Sequence, residues 1–467
     1  MDQSLHYTNK IINDSGISYS IDSKQMAASV LNSDEFIKKA FLPHFIMYES
    51  KKYTVKSISK ALFKSSSLQS IEISPDSEIQ TIEREAFTLS SIKTFSIPPS
   101  VTKVCEFAFS ECSKLQEIKI PENSKLETIE KCAFSDSRIE SIFIPSGLIE
   151  LQKGWCIGLT KLNKIKVSKN NPRYISYDDK FIFGKSSSEN NNFNVLVFSI
   201  RNIETATIPN FIEIIESHSF NNCTKLHQIE FQNDSKLRVI ESNSFQNTLI
   251  ENIQIPSTVT RICSNAFMDC YKLKKIEIDS NSELQIIESN AFSGSAIESI
   301  SIPEKLIEIE SRAFSECGLL QKIDIPLNTN IKEIREKTFF GTSIDHFTVP
   351  LKVEKICKSA FSNCYRLKYL EINENSNLEI IEEDAFSCSP MTCFSFPSNI
   401  KQIGDCIFAY CTNLQIVEFV DTYNLEYFDE KIFKLCFSPI IMIPVQLNNY
   451  FKSKVLNQSI FDVFGDY

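Results

Sequence analysis

Fifteen cysteines are the residues of this 467-residue chain with the widest range of possible chemistry, because thiols can form disulfides, hold metal ions or act as nucleophiles. Six of those that follow a phenylalanine by three residues form one set, and from Cys223 onward this set recurs every 47 residues. The paired C-x2-C spacing of zinc sites is absent. The six are Cys112, Cys223, Cys270, Cys317, Cys364 and Cys411.

The spacing of these six cysteines excludes a ladder of disulfides. If each period of 47 residues holds two stacked turns, equivalent cysteines are two strand spacings apart, or ~9.6 Å. A disulfide needs Cα atoms within about 7 Å of each other. We therefore expect a column of small buried thiols that fills a tight corner of the fold.

Four cysteines near the C-terminal end differ, because they fall in adjacent turns where the spacing permits a bond. Free thiols are our first expectation for them, and a disulfide is the alternative if the chain meets an oxidising compartment. They are Cys388, Cys393, Cys406 and Cys411.

Catalytic signatures are missing from the sequence. None of the five histidines recurs in phase with the cysteines or pairs with Ser and Asp as a nucleophile set would. There is no phosphate-binding glycine loop, and the chain has ten glycines in all. We therefore predict a protein that is not an enzyme and uses no cofactor or metal. An active site would require that residues 175–200 enclose a pocket.

A row of carboxylates is the best candidate for a binding site. Each lies in the middle of a short apolar-x-apolar segment, and the alternate segments carry Gln254, Ser301, Thr348 or Ser395 instead. Stacked strands would place one carboxylate every ~10 Å. Such a face either keeps the sheet soluble or binds a partner protein of basic or mixed character. The carboxylates are Glu230, Glu277, Asp324, Glu371 and Glu418, and beside them lie Lys275, Lys322 and Tyr369.

The elements that position these residues are the turns of a repeat. From Phe220 onward a phenylalanine recurs at alternating spacings of 25 and 22 residues, as in Phe220, Phe245, Phe267 and Phe292. Each turn also carries a short apolar-x-apolar strand, which proline often follows and which cannot fold alone. The pattern predicts a β-rich repeat solenoid of about 17 turns with short stacked parallel strands.

The repeat resembles the BspA-like subclass of leucine-rich repeats over roughly residues 40–445. The run from Ile309 to Pro326 (IESRAFSECGLLQKIDIP) carries the resemblance best. The resemblance implies an α/β leucine-rich-repeat solenoid that binds proteins and does not catalyse reactions. It further implies a surface-antigen or adhesion module that uses its strand face; the alternative is an intracellular scaffold or structural protein.

The same resemblance suggests a division of the chain into five parts. Residues 1–40 would form an N-terminal cap with a β-hairpin, and residues 446–467 a C-terminal cap. Leucine-rich repeats would fill residues 41–167 and 206–445. A hairpin insertion would occupy residues 168–205, after Asn171-Pro172-Arg173-Tyr174.

Composition limits the partners and the compartment. The net charge is -10, which disfavours nucleic acid as a partner. No segment has the ~18 apolar residues of a membrane span, and the N-terminus lacks the pattern of a signal peptide. We therefore expect a monomeric cytoplasmic protein that binds other proteins without inserting into a membrane. The family resemblance gives the cell surface as the alternative location.

Overall fold

The computed structural model describes residues 10–12, 16–33, 36–187, 189–419, 425, 430–436 and 439–442. The expected C-terminal cap at 446–467 lies outside these residues, as does part of the N-terminal cap. The chain forms two compact units. Unit 1 comprises Met1–Ile203 and Glu216–Lys225, and unit 2 comprises Glu204–Ile215 and Leu226–Tyr467.

One turn of unit 2 shows how the sequence forms the repeat. In the strand Asn252–Ile255 the residues alternate, so Ile253 and Ile255 are buried while Asn252 and Gln254 face solvent. The chain then turns at Pro256, which has no N–H to extend the pairing. A second strand of two residues buries its isoleucine, and a loop buries the phenylalanine that follows.

Unit 2 contains two ladders of parallel strands, one of longer strands and one of two-residue strands. We call the solvent-facing side of the longer strands the strand face. The longer strands are Thr205–Ile208, Gln228–Phe231, Asn252–Ile255, Lys275–Ile278, Ser299–Ser301, Lys322–Asp324, His346–Val349, Tyr369–Ile372, Cys393–Phe396, Ile416–Phe419 and Ile440–Met442. The short strands are Ile214–Ile215, Val239–Ile240, Arg261–Ile262, Ile286–Ile287, Glu308–Ile309, Glu333–Ile334, Lys355–Ile356, Ile380–Ile381 and Gln402–Ile403.

Unit 1 repeats this arrangement and adds antiparallel strands. Its longer strands are Lys39–Leu42, Ser70–Ile73, Thr94–Ser96, Glu117–Lys119, Ser141–Ile144 and Lys164–Val167. Its second ladder comprises Lys51–Ile58, Thr81–Ile82, Lys103–Val104, Thr128–Ile129 and Glu150–Leu151. The antiparallel strands are Lys10–Ile12, Ile17–Asp22, Ala27–Ser33 and Phe45–Tyr48 near the N-terminus, and Tyr174–Tyr177, Phe181–Gly184 and Val195–Ser199 in the insertion.

The loops that carry the phenylalanines form a third ladder of backbone hydrogen bonds. The N–H of Phe245 donates to the carbonyl of Ala266 at 2.8 Å, and the N–H of Phe267 donates to Ala291 at 2.7 Å. Residues two before and two after each phenylalanine have positive φ, such as Asn243 and Asn247, both at 58°. Asparagine and aspartate tolerate this conformation better than most residues, so the loops need few glycines.

Stacked phenylalanine rings fill the core beside these loops. In unit 2 the ring centroids of Phe267 and Phe292, and of Phe292 and Phe314, lie 5.4 Å apart with nearly parallel planes. All three side chains are fully buried. Stacking of equivalent turns therefore explains why phenylalanine recurs at one position of the repeat.

The 25-residue spacing exceeds the 22-residue spacing by two residues at the corner after the longer strand and by one residue between the phenylalanine and the next longer strand. In the longer turns a buried serine caps the corner, as when the N–H of Leu284 donates to Ser282 Oγ at 3.2 Å. In a shorter turn Thr258 instead donates from Oγ1 to the carbonyl of Leu237, in the turn before, at 2.7 Å.

The predicted fold class is confirmed: the chain is a β-solenoid of the leucine-rich-repeat type with about 17 turns and stacked parallel strands. Helix is nearly absent. The helix in the described residues is the four-residue 3-10 segment Glu430–Phe433, so turns connect the strands on the sides away from the strand face.

Candidate functional site

The five predicted carboxylates lie at one outward position of the longer strands in unit 2. Small polar residues lie directly beside them on the preceding strands, where Gln254 pairs with Glu277, Ser301 with Asp324, and Thr348 with Glu371. Glu230 and Glu418 occupy the same position, opposite Thr207 and Ser395. The structure therefore places the whole set on the strand face.

The carboxylates differ in what neutralises them. Lys275 forms an ion pair with Glu277 on the same strand, and Lys322 lies 2.9 Å from Asp324 in the same way. All four side chains are about half exposed or more, so each pair contributes little to stability and still reduces the local negative charge. The predicted acidic face is therefore nearly neutral at these two turns.

The carboxylates at the two ends of the row have no lysine or arginine partner among the described residues. Glu230 accepts a hydrogen bond from Gln228 Nε2 at 2.7 Å. Glu371 accepts one from Thr348 Oγ1 at 3.0 Å, and Glu418 one from Ser395 Oγ at 2.9 Å. His346 Nε2 also lies 3.7 Å from Glu371. Negative charge is thus concentrated at the ends of the row.

Shallow grooves run between the outward side chains of this face. One of about 530 Å³ is lined by Glu230, Lys275 and Glu277, and another of about 620 Å³ is lined by Asp324 and His346. Tyr369 lies beside Glu371 on the same strand and is 54% exposed. Grooves bordered by charged side chains, with an exposed tyrosine on the same face, are suited to side chains of a partner protein.

The sequence reasoning missed an apolar change at the other outward position of these strands. That position holds polar residues over most of the unit and then Tyr369, Cys393, Ile416 and Ile440 in the last four strands. The signal lies in the alternation of residues along each strand, two residues before the acidic position.

The predicted cysteine column is a packing feature. Cys317 is fully buried, and its Sγ–H donates to the carbonyl of Phe292 at 3.1 Å. Its sulfur also lies 3.3 Å from Ser295 Oγ in the turn before. Burial raises the pKa of the Cys317 thiol to about 12.

Hydroxyl and thiol groups therefore alternate at the third residue after the phenylalanine from Cys223 to Cys411, and the turn after that carries Cys436 at this position. Thr248 precedes Cys270, and Thr342 precedes Cys364, with oxygen-to-sulfur distances of 3.4 and 3.3 Å. All fifteen cysteines lie in the described residues and are free thiols, including the cluster of four near the C-terminal end.

The insertion buries apolar side chains in unit 1. Phe183, Leu196 and Phe198 are fully buried. Next to them Arg201 is 4% exposed, and its guanidinium donates to the carbonyls of Ser219 at 2.8 Å and His218 at 3.2 Å. Burial and the charge of Arg201 lower the pKa of His218 to about 4. The arginine is therefore used to anchor the insertion.

The described residues also bear on metal binding and on membrane insertion. No group of three or more His, Cys, Asp or Glu side chains in this part of the chain is arranged to hold a metal ion. Within the same residues, no helix is long and apolar enough to cross a membrane.

Comparisons with known proteins agree with this fold. A family model of the BspA-type leucine-rich repeat region, described as six copies, matches residues 56–180, 191–321, 238–368 and 332–460. No curated protein matches the chain significantly.

Several solved bacterial structures are similar to the chain. A leucine-rich repeat protein from Eubacterium ventriosum is 16% identical, with a TM-score of 0.52, over 82% of this chain and 95% of that one. A leucine-rich cell surface protein from Faecalibacterium prausnitzii is 19% identical, with a TM-score of 0.49, over 79% of this chain and 96% of that one. Because the family model covers most of the chain, the protein belongs to the BspA-type leucine-rich repeat family.

Proposed function

We propose that this chain is a non-catalytic protein-binding module that engages its partner through the strand face of unit 2. The observation that carries the proposal is the regular row of exposed carboxylates, which repeats every second turn. Leucine-rich repeat proteins generally mediate protein interactions, and an open face of many stacked strands offers a large surface for them.

An adhesion role at a cell surface is the form of this function that the family resemblance suggests. An intracellular scaffold is the second candidate, and the fifteen free thiols favour it, since thiols persist in reducing compartments. Staining of an epitope-tagged chain in intact and in permeabilised cells separates the two. Signal from intact cells supports adhesion, and signal that requires permeabilisation supports the scaffold.

Reversal of charge on the strand face tests the binding site. We expect the triple substitution Glu277→Lys, Asp324→Lys and Glu371→Lys to reduce capture of specific partner proteins from cell extract at least tenfold. The three new lysines would repel a basic partner and add to Lys275 and Lys322. Quantitative mass spectrometry of pull-downs measures the effect.

The matched control reverses three exposed carboxylates that lie away from the strand face. Glu283→Lys, Glu336→Lys and Glu354→Lys change the net charge equally at side chains that are 50%, 45% and 51% exposed. If the partner proteins are still captured by both charge-reversed variants, the acidic row is not the binding site.

A further inference from the structure

An apolar stripe interrupts the polar strand face at the C-terminal end of unit 2. It consists of the first outward residue in each of the last four longer strands, Tyr369, Cys393, Ile416 and Ile440, and we call it the C-terminal stripe. The seven preceding strands carry Thr205, Gln228, Asn252, Lys275, Ser299, Lys322 and His346 at the same position.

The stripe follows the longer strands of four successive turns and is exposed to solvent. Cys393 is paired directly with Ile416, and Ile416 with Ile440, so neighbouring side chains are one strand spacing of ~4.8 Å apart. Tyr369 is 54% exposed, Ile416 40% and Ile440 45%. Apolar residues at solvent-facing strand positions do not stabilise the core, and a contiguous exposed patch of them marks an interaction site.

Negative charge borders the stripe on one side. The adjacent outward position holds Glu371 and Glu418, which are bonded to hydroxyl groups and, for Glu371, lie near His346. Glu277 and Asp324, farther along the face, each have a lysine on the same strand instead. The apolar stripe therefore coincides with the end of the row where the carboxylates have no lysine partner in the part of the chain that the structure describes.

The negative charge beside the C-terminal stripe favours a basic partner. A second copy of the chain docked stripe to stripe would bring carboxylates toward carboxylates, between two molecules that each carry a net charge of -10. A segment with lysine or arginine beside apolar side chains would pair with the carboxylates and cover the stripe. Tyrosine is among the residues that most often dominate binding energy at interfaces.

We propose that the C-terminal stripe is the principal contact for a partner segment that presents a row of aliphatic or aromatic side chains flanked by basic residues. This inference rests on the proposed protein-binding function and names its partner. The stripe spans three strand spacings, about 14 Å, which matches roughly nine residues of an amphipathic helix.

Synthetic helical peptides of 18 residues provide the probe. One carries leucine at i, i+3, i+4 and i+7 with lysine beside the leucine row. The second replaces each lysine with glutamate, and the third replaces each leucine with serine. Fluorescence anisotropy with the full chain should show that the leucine–lysine peptide binds at least tenfold more tightly than the other two.

Substitutions in the chain locate the binding. Tyr369→Ser with Ile416→Ser should weaken the leucine–lysine peptide at least tenfold, and Glu371→Gln with Glu418→Gln should weaken it several-fold and reduce its salt dependence. The control is Tyr271→Ser with Ile307→Ser, which removes side chains that are 53% and 43% exposed but lie off the strand face. The control should leave the affinity within twofold.

Cys393 supplies a direct footprint, because its thiol is exposed within the stripe. Bound leucine–lysine peptide should slow alkylation of Cys393 and leave the buried column of cysteines unaffected. Failure of all three peptides to bind, or equal loss in the stripe and control variants, would overturn the proposal. So would a dimer of the chain that the stripe substitutions dissociate, since the occupant would then be a second copy.

The outcome separates this inference from the proposed function. If the stripe substitutions retain the partners from cell extract while the triple charge reversal loses them, the acidic row binds and the stripe does not. If neither set of substitutions affects capture, the strand face is not the binding site.

Discussion

The alternation of thiol and hydroxyl groups in unit 2 shows how one residue position is adapted to a stacked fold. In unit 2 the cysteines of the column donate to a phenylalanine carbonyl of the preceding turn, as Cys270 does to Phe245 at 3.1 Å. A thiol is small and weakly polar, so it satisfies this buried carbonyl with little desolvation cost. The sequence indicates the period of the column, but these hydrogen bonds depend on contacts between turns.

The buried thiols predict a loss of stability in alkaline solution. Burial raises the pKa of Cys270 to about 11 and that of Cys317 to about 12, from an ordinary value of 9.0. Between pH 9 and the raised pKa values, the thiols ionise in the unfolded chain and stay protonated in the folded one, so the unfolded state binds fewer protons. The free energy of unfolding should therefore fall as pH rises above about 9, by up to about 1.4 kcal/mol per pH unit for each such thiol.

Urea unfolding followed by circular dichroism at several pH values between about 8 and 10.5 measures this slope. The double substitution Cys270→Ala and Cys317→Ala should make the slope shallower, although it lowers stability at neutral pH. The control removes a buried methyl group instead of a thiol, and Ile300→Val should leave the slope unchanged. An identical slope in all three proteins would contradict the role assigned to the column.

At the scale of elements, the hairpin insertion is held to unit 1 by one buried arginine. Arg201 donates to carbonyls of Ser219 and His218, and its guanidinium lies 4.5 Å from the centroid of Phe198. Among the described residues no carboxylate pairs with it. The strands of the insertion follow from their apolar runs in the sequence. The anchoring role of Arg201 cannot be predicted from the sequence, because its partners lie seventeen and eighteen residues away.

Substitution of this arginine should destabilise unit 1 strongly. We expect Arg201→Met to lower the free energy of unfolding by about 3 kcal/mol or more, since buried carbonyls lose their donor. Arg312→Met, at a side chain 49% exposed and 3.7 Å from Glu336, should cost at most about 1 kcal/mol. Denaturant unfolding compares the two, and similar losses would show that Arg201 is not an anchor.

At the scale of the whole molecule, the unit of repetition is a pair of turns. From Cys270 to Cys411 in unit 2, corner type and the choice of thiol or hydroxyl alternate together, so removal of a single turn there brings two thiols or two hydroxyls together. The alternation of 22 and 25 residues already indicates the paired unit in the sequence. The structure adds a reason, which is that these cysteines of the column are matched to hydroxyl groups in the preceding turn.

Deletion of two turns should therefore be tolerated better than deletion of one. Removal of residues 276–322, which joins Lys275 to Ile323, keeps the alternation and should leave a cooperatively folding protein. Removal of residues 276–299, which joins Lys275 to Ile300, places Cys270 and Cys317 in adjacent turns without a hydroxyl between them. The one-turn deletion should have the lower midpoint of thermal unfolding, although it removes fewer residues. The reverse order would show that a pair of turns is not the unit of repetition.

The sequence by itself determined the solenoid, its inward columns and the outward position of the candidate carboxylates, because a short strand can bury its apolar residues only by stacking on equivalent turns. Only the tertiary structure decided which carboxylates are neutralised, which thiols meet hydroxyls and where Tyr369 and Ile416 form an exposed stripe. Those properties depend on side chains that lie 22 to 25 residues apart in the chain and about one strand spacing apart in space.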